Sequence, residues 1–326
     1  MRMQRRQFVL GSLGAALAGA SPLARAAAYP ERPITFICPW PAGGTADMTM
    51  RALCGAAAKV LGQAIVVENK AGASGMLGLK ALASAKPDGY TIGQIPISVT
   101  RFSQLGTVQV DPLKELTFLA RTSGQTFGIA VRADSPHKTL KEFVAAAKAA
   151  PGKLTYGSAG IGGATHVGME EFAHVAGISL NHIPYKGGAP ALQDLLGGQI
   201  DALADSSSWA PHVKAGKLRL LVTWGDKRTI DFPEVPNLKD AGYDLVIDAP
   251  NGVGAPRGLE PAVEKALRDA FKASAASADF TAACDKIDAP LMYLDGPDYA
   301  KYVADVYRKE TQLIERLKLR ELMAKG

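Results

Sequence analysis

Glycines gather where one periodicity hands over to another. Gly43-Gly44, Gly72 with Gly75, Gly160 with Gly162-Gly163, and Gly187-Gly188 each follow a short β-rich run and precede an alanine-rich run of helical spacing. Segments 34–38, 65–68, 91–95, 127–131, 154–157, 181–184, 218–223 and 245–247 read as strands. Segments 48–61, 76–85, 140–149, 165–176, 190–196 and 261–273 read as helices. The alternation predicts an α/β chain of parallel sheets with helices on both faces. Strand-to-helix turns of such sheets lie at the carboxyl ends of the strands, where ligands bind, so several loops from two halves would line one cleft. Any one of these turns proves little, because βα turns favour glycine in any case.

The chain has 326 residues, 47% of them hydrophobic, enough for one large α/β unit or two lobes of ordinary size. Its start is read separately. Arg5-Arg6 precede Phe8, an uncharged stretch from 9 to 20, and the small residues around Arg25. This is an export signal over 1–28, of the twin-arginine type, with cleavage expected after Ala26 or Ala28 and the periplasm as destination. The apolar run is shorter than the ~20 residues a membrane span needs, and no later run reaches that length. Arg2, Arg5, Arg6 and Arg25 leave with the signal and no acid does, so the net charge falls from +6 to +2. No basic run interleaved with aromatics remains to suggest nucleic acid. Cys38, Cys54 and Cys284 have neither CxxC nor zinc spacing, and Cys54 lies too far along its helix to bridge Cys38; all three read as buried thiols.

As active sites the loops are poorly equipped. Pro41-Ala42-Gly43-Gly44-Thr45 lacks the Lys-Ser/Thr ending of a phosphate loop, and the loop at 157–163 misses GxGxxG. Ser74 and Ser158 both miss the GxSxG elbow. His137, His166, His174, His182 and His212 form no tight ligand set; His166 and His174 stand about 80° apart around one helix. His166 reads as cleft-lining, the other four as surface or core. No metal and no cofactor is expected.

What the loops do supply is donors. Thr45, Ser74, Ser158 and Thr165 carry hydroxyls, and the neighbouring glycines let backbone N–H groups approach a ligand. Helix N-termini add a favourable dipole, so a carboxylate could be held by neutral groups. Asp47 has two readings, a helix cap or a contact with an ammonium, hydroxyl or bridging water.

The loops also resemble a known family. Pro39-Trp40-Pro41-Ala42-Gly43-Gly44-Thr45-Ala46-Asp47, Glu68-Asn69-Lys70-Ala71-Gly72-Ala73-Ser74-Gly75, Lys86-Pro87-Asp88-Gly89-Tyr90-Thr91, Gly157-Ser158-Ala159-Gly160-Ile161-Gly162, Ile183-Pro184-Tyr185-Lys186-Gly187-Gly188, Gly197-Gly198-Gln199-Ile200-Asp201 and Phe232-Pro233-Glu234-Val235-Pro236 occur in order. In this the chain is similar to the extracytoplasmic solute receptors of tripartite tricarboxylate transporters, the Bug or TctC proteins. The resemblance implies a two-lobed periplasmic binding protein that closes like a flytrap, with two doubly wound sheets joined by crossing strands. Lobe 1 would take 29–125 and 253–326, lobe 2 would take 126–252, and an amphipathic helix over 299–317 would pack on lobe 1 with its Lys and Glu residues in solvent.

The resemblance further implies a carboxylate held by Gly43, Gly44 and Thr45, by Ala73, Ser74 and Gly75, and by the stretch from Ser158 through Gly162 and Gly163 to Thr165, with Asp47 near the ligand. Trp40, Ser98, His166 and Asp205 complete the candidate ligand-binding set, Trp40 and Trp209 being equally plausible as cleft wall or core. The expected protein is a monomeric, non-enzymatic receptor that presents a small carboxylate to membrane permease subunits. The alternatives are a receptor for a two-component sensor and an exported hydrolase or isomerase using Asp47, His166 or Asp205.

Overall fold

A computed structural model describes residues 29–247 and 249–325; the expected export signal over 1–28 lies outside the described residues. Eleven strands are described: β1 (Ile34–Cys38), β2 (Ile65–Asn69), β3 (Thr91–Ile95), β4 (Leu116–Gly124), β5 (Gly128–Arg132), β6 (Thr155–Ser158), β7 (Asn181–Pro184), β8 (Ala202–Asp205), β9 (Leu218–Thr223), β10 (Pro250–Pro256) and β11 (Leu291–Asp295). They form a six-stranded sheet in the order β11-β4-β10-β3-β1-β2 and a five-stranded sheet in the order β7-β6-β8-β5-β9.

Both sheets are mixed, which corrects the expectation of parallel ones. β1 runs parallel to β2 and β3, and β6 parallel to β7 and β8. β10 is antiparallel to both β3 and β4, β11 to β4, and β5 to both β8 and β9. The reason lies in the crossings. The chain leaves the first sheet by β4, enters the second by β5 after three residues, and returns by β10 alongside β4, so these strands oppose their βαβ neighbours. Pro250, Asn251 and Gly252 already pair with Gly124, Ser123 and Arg121 in the first sheet.

Segment 245–247, expected to be a strand, is an irregular stretch outside both sheets; the Ile247 N–H donates to the Trp224 carbonyl, and Leu245 and Ile247 pack on the second core. β4, β8, β10 and β11 lay outside the expected strands. β10 hides its nature behind two prolines and two glycines, yet every one of its residues is buried. Gly252 is required there: a Cβ would lie 1.9 Å from the Tyr299 hydroxyl.

Side chains alternate across each sheet, and helices cover both faces. Ile34 and Phe36 of β1 point into one cluster with Met50, Leu53, Leu267 and Phe271, while Ile37 points into another with Leu79, Phe102, Tyr299 and Val303. In the second sheet Ile129 and Val131 join Phe143, Tyr156 and Trp224, and Ala130 joins Leu195, Leu203 and Trp209. Trp209 is thereby core, not cleft wall. The three cysteines are free and buried, and burial pushes Cys38 up to about 11 and Cys284 up to about 12, which leaves them without thiolate character at neutral pH.

The long helix near the end spans Gly296–Arg316, and Tyr299 and Val303 pack it on the first lobe. Its acids are not all solvated: Glu310 is 6% exposed and paired with Arg101, which corrects the expectation for that face. Further along, Ile314 and Leu319 form a small cluster with Val167 from the second lobe, and Arg316 pairs with Glu171 there. Among the described residues no helix is long and apolar enough to cross a membrane.

Candidate functional site

Three helices point their first turns into one cavity of about 80 Å³ between the sheets. They are Thr45–Leu61, Ala164–Ala176 and Gly188–Leu196; each is preceded by a glycine, Gly44, Gly163 or Gly187, and none has a side-chain cap. A helix start without a cap leaves backbone N–H groups free for an anion. Gly44, Thr45 and Ala46, then Gly163, Ala164 and Thr165, then Gly188 and Ala189 line the cavity. Trp40, Phe127, Pro96 and Ile97 supply apolar wall, and Gln94, Ser98, Gln125, Ser206, Ser208 and Asp205 supply polar groups.

Three polar atoms of that wall are buried without a hydrogen-bond partner: Trp40 Nε1, Thr45 Oγ1 and Gln94 Oε1. Buried polar groups are nearly always paired, so three orphans on residues that line one cavity mark a place where a ligand or ordered water completes the bonding.

Of the candidate residues, Trp40, Gly44, Thr45, Ser98, Gly163, Thr165 and Asp205 line the cavity, and Gly43, Asp47, Ala73, Ser74, Gly75, Ser158, Gly162 and His166 do not. Asp47 is a brace. Its Oδ2 accepts from the Gly43 N–H (2.9 Å) and Arg51 Nε (3.0 Å), its Oδ1 from Asn69 Nδ2 (2.7 Å), and Asn69 also donates to the Trp40 carbonyl (2.9 Å). Burial works to raise the Asp47 pKa, but the hydrogen bonds from Arg51, Asn69 and Gly43 outweigh it and hold the carboxyl below its usual range. Asp47→Ala is expected to cost about 1 to 2 kcal/mol at neutral pH by leaving Gly43 and Asn69 unmatched. Since the folded pKa is the lower one, the gap to wild type should close as pH falls below 3.8. Urea unfolding at pH 7 and pH 3 measures both.

Ser74 does not face the cavity. Ala73 and Ser74 have positive φ of 47° and 53°, a turn that brings Ser74 Oγ to the Ile161 carbonyl of the opposite lobe (3.1 Å), with Gly75 under Trp40. Arg101 makes a second such bridge, donating Nη1 to the Gly162 carbonyl (2.8 Å). Loops expected to touch ligand thus touch each other.

Ser158 and His166 belong to a buried polar cluster behind the Ala164–Ala176 helix start. Ser158 Oγ lies 2.7 Å from His182 Nε2, and the Gly162 N–H donates to His166 Nδ1 (2.9 Å). The two imidazoles stack with centroids 4.0 Å apart. Burial pushes His166 down to about 3 and His182 down to about 4, so both are neutral at physiological pH. The Ser158–His182 distance suits a nucleophile and base, but Ser158 is fully buried and neither residue lines the cavity.

Asp205, at the end of β8, is the only ionisable side chain on the cavity wall among the described residues. Ser208 Oγ donates to its Oδ2. Burial pushes its pKa up to about 6 against hydrogen bonds from Ser208 and Ser206. Gly188 is what makes room for it: a Cβ there would lie 2.3 and 2.4 Å from the carboxylate oxygens. Sequence reasoning passed over Gln94, Gln125 and the Asn69 brace. The available signal was Gln94 itself, a side-chain amide between Gly93 and Ile95 in the run 91–95, expected to be a strand.

Two α/β lobes joined by crossing strands, with a cavity of neutral donors between them, define a solute-binding protein of the periplasmic type. The chain matches the model of the tripartite tricarboxylate transporter family receptors over residues 49–319, and it belongs to that family. It is 42% identical over 323 residues to a UPF0065 protein in the gbd 5′ region of Cupriavidus necator, covering 97% of this chain and 99% of that one. It is 32% identical to BugT of Bordetella pertussis, over 81% of this chain and 82% of BugT.

Among solved structures, the periplasmic binding protein BugD superposes with a TM-score of 0.85 at 28% identity, over 89% of this chain and 99% of BugD. The R. palustris protein Rpa4515 with adipate gives 0.84 at 25% identity, covering 89% and 98% of the two chains. MatC of Rhodopseudomonas palustris with bound malate gives 0.80 at 25%, covering 88% and 100%. The family is one of solute-binding receptors, and the two relatives solved with adipate and with malate hold carboxylates.

Proposed function

We propose that this protein is an extracytoplasmic receptor that binds a small carboxylate in the cavity between its lobes and delivers it to the permease of a tripartite tricarboxylate-type transporter. The observation that carries the reading is the set of three uncapped helix starts facing a cavity whose wall holds no Lys or Arg and includes Trp40 and Thr45, the carriers of the orphaned Nε1 and Oγ1. Such a site holds a carboxylate by neutral donors, so the ligand's charge is met by dipoles and released without breaking an ion pair. The bound adipate and malate of two structural relatives support the same class. Export through the signal at 1–28, a monomeric state and closure of the lobes without a covalent step complete the proposal.

A thermal-shift screen of the purified protein against adipate, malate, citrate, aromatic acids and acidic amino acids tests it. A ligand at about 100 times its Kd adds about 2.7 kcal/mol, enough to raise the midpoint by roughly 5 °C. No shift with any carboxylate, after unfolding and refolding to strip retained ligand, would overturn the reading.

A further inference from the structure

The cavity has two chemical ends. The helix starts, Thr45 and Trp40 offer donors, whereas the crossing strands and β8 offer acceptors. The acceptor end is set by a chain of amides whose orientations are forced. Asn251, fully buried in β10, places Nδ2 3.3 Å from the Gly124 carbonyl, which can only accept. Its Oδ1 must therefore face the other way, where it accepts from Gln94 Nε2 (2.9 Å) and Gln125 Nε2 (3.1 Å). Turning the Gln94 amide over would set two carbonyl oxygens against each other. Gln94 Oε1 is thus locked on the side away from Asn251, in a residue of the cavity wall that is 2% exposed, and it has no partner.

Beside this acceptor the wall carries the Asp205 carboxylate, fixed over Gly188 by Ser208. A ligand that filled the cavity with a carboxylate alone would leave Gln94 Oε1 desolvated and unmatched and would bring a second anion toward Asp205.

We propose that Gln94, together with Asp205, is a specificity-determining pair that selects carboxylates carrying a hydrogen-bond donor, a hydroxyl or an amine, over plain acids of the same size. The inference rests on the carboxylate reading above and names the ligand's second group. Hydroxyl and amine share the chemistry that Gln94 requires; an ammonium would in addition neutralise Asp205.

Titration calorimetry on the purified protein separates the possibilities, with butyrate, 3-hydroxybutyrate and 3-aminobutyrate, with succinate, malate and aspartate, and with benzoate and 4-hydroxybenzoate. The expected result is that, in at least one matched set, the donor-bearing acid binds about tenfold or more tightly than the plain one, the ratio for one buried acceptor left unmatched. In Gln94→Met that ratio should fall to within about threefold, the plain acid gaining because no acceptor is left unmatched and the donor-bearing acid losing its partner. Asp205→Asn, a second variant of nearly unchanged shape, should favour succinate relative to malate, because its amide can turn an N–H to a second carboxylate. Equal binding of plain and donor-bearing acids by the wild type, or an unchanged ratio in a folded Gln94→Met, overturns the inference and leaves the carboxylate reading standing. Absence of binding by every acid overturns both.

Discussion

Replacing Arg101 by methionine is expected to destabilise the protein by about 3 to 5 kcal/mol, the usual cost of removing one member of a buried ion pair. Arg101 and Glu310 are each 6% exposed, and the guanidinium meets the carboxylate through two bonds of 2.8 and 2.6 Å. Without the arginine, Glu310 is left as a buried charge with no counterpart, and the Gly162 carbonyl loses its donor from the opposite lobe. The double variant Arg101→Met/Glu310→Leu should recover most of the loss, since neither charge then has to be desolvated. Urea unfolding of the three proteins decides it; a loss below about 1 kcal/mol in the single variant would mean that water reaches the pair. The same single variant should weaken ligand binding, because the lost bond joins the two lobes.

The second large effect is a dependence on acid that one residue confers. His166 titrates near 6.5 when unfolded and is pushed down to about 3 in the fold, by burial first and then by His182 and Arg101. Below pH 6.5 the unfolded chain takes up a proton that the folded chain refuses, so this histidine's share of stability is complete above that pH and is lost as pH falls toward 3. Glu170 offers little compensation. Its carboxylate lies 4.0 Å from Nε2, accepts from the Tyr156 hydroxyl and is itself pushed up by burial.

His166→Asn keeps an acceptor for the Gly162 N–H and removes the titration. The variant should therefore gain on wild type by about 2 to 3 kcal/mol between pH 7.5 and pH 4.5. Chemical unfolding at the two pH values tests this, and parallel stability curves would show that the imidazole is not the group responsible.

The handover from strand to glycine turn to helix was legible because its causes are local. Apolar alternation, helical spacing and a glycine at the turn all lie within about fifteen residues, and the first turns at Gly44-Thr45 and Gly163-Thr165 stand on the cavity wall. Strand direction is a different matter. Nothing within β4 or β10 says that they run antiparallel, because that follows from where the chain crosses between sheets. β10 also looks unlike a strand, as its glycines answer to neighbours such as Tyr299.

The same division holds at the site. A hydroxyl beside a glycine could be recognised as a donor, but what it meets could not: Ser74 reaches Ile161, 87 residues away, and Ser158 meets His182. Glu310 looked like one more solvated acid on an amphipathic helix until its partner, 209 residues earlier, was known. Asp47 is a further case, for its helix position suggested a cap while its second oxygen serves Asn69 on the neighbouring strand.

The bonds from Ser74 to Ile161 and from Arg101 to Gly162 contain no ligand atom. Part of the free energy that holds the jaws shut is therefore intrinsic to the chain, and it sets how often an empty receptor resembles a loaded one. A substitution that loosened these bonds would weaken every ligand by the same factor, through the fraction of molecules ready to bind. Avidity and discrimination then reside in separate groups of residues, so either could drift during descent from a common receptor while the other stayed where it was.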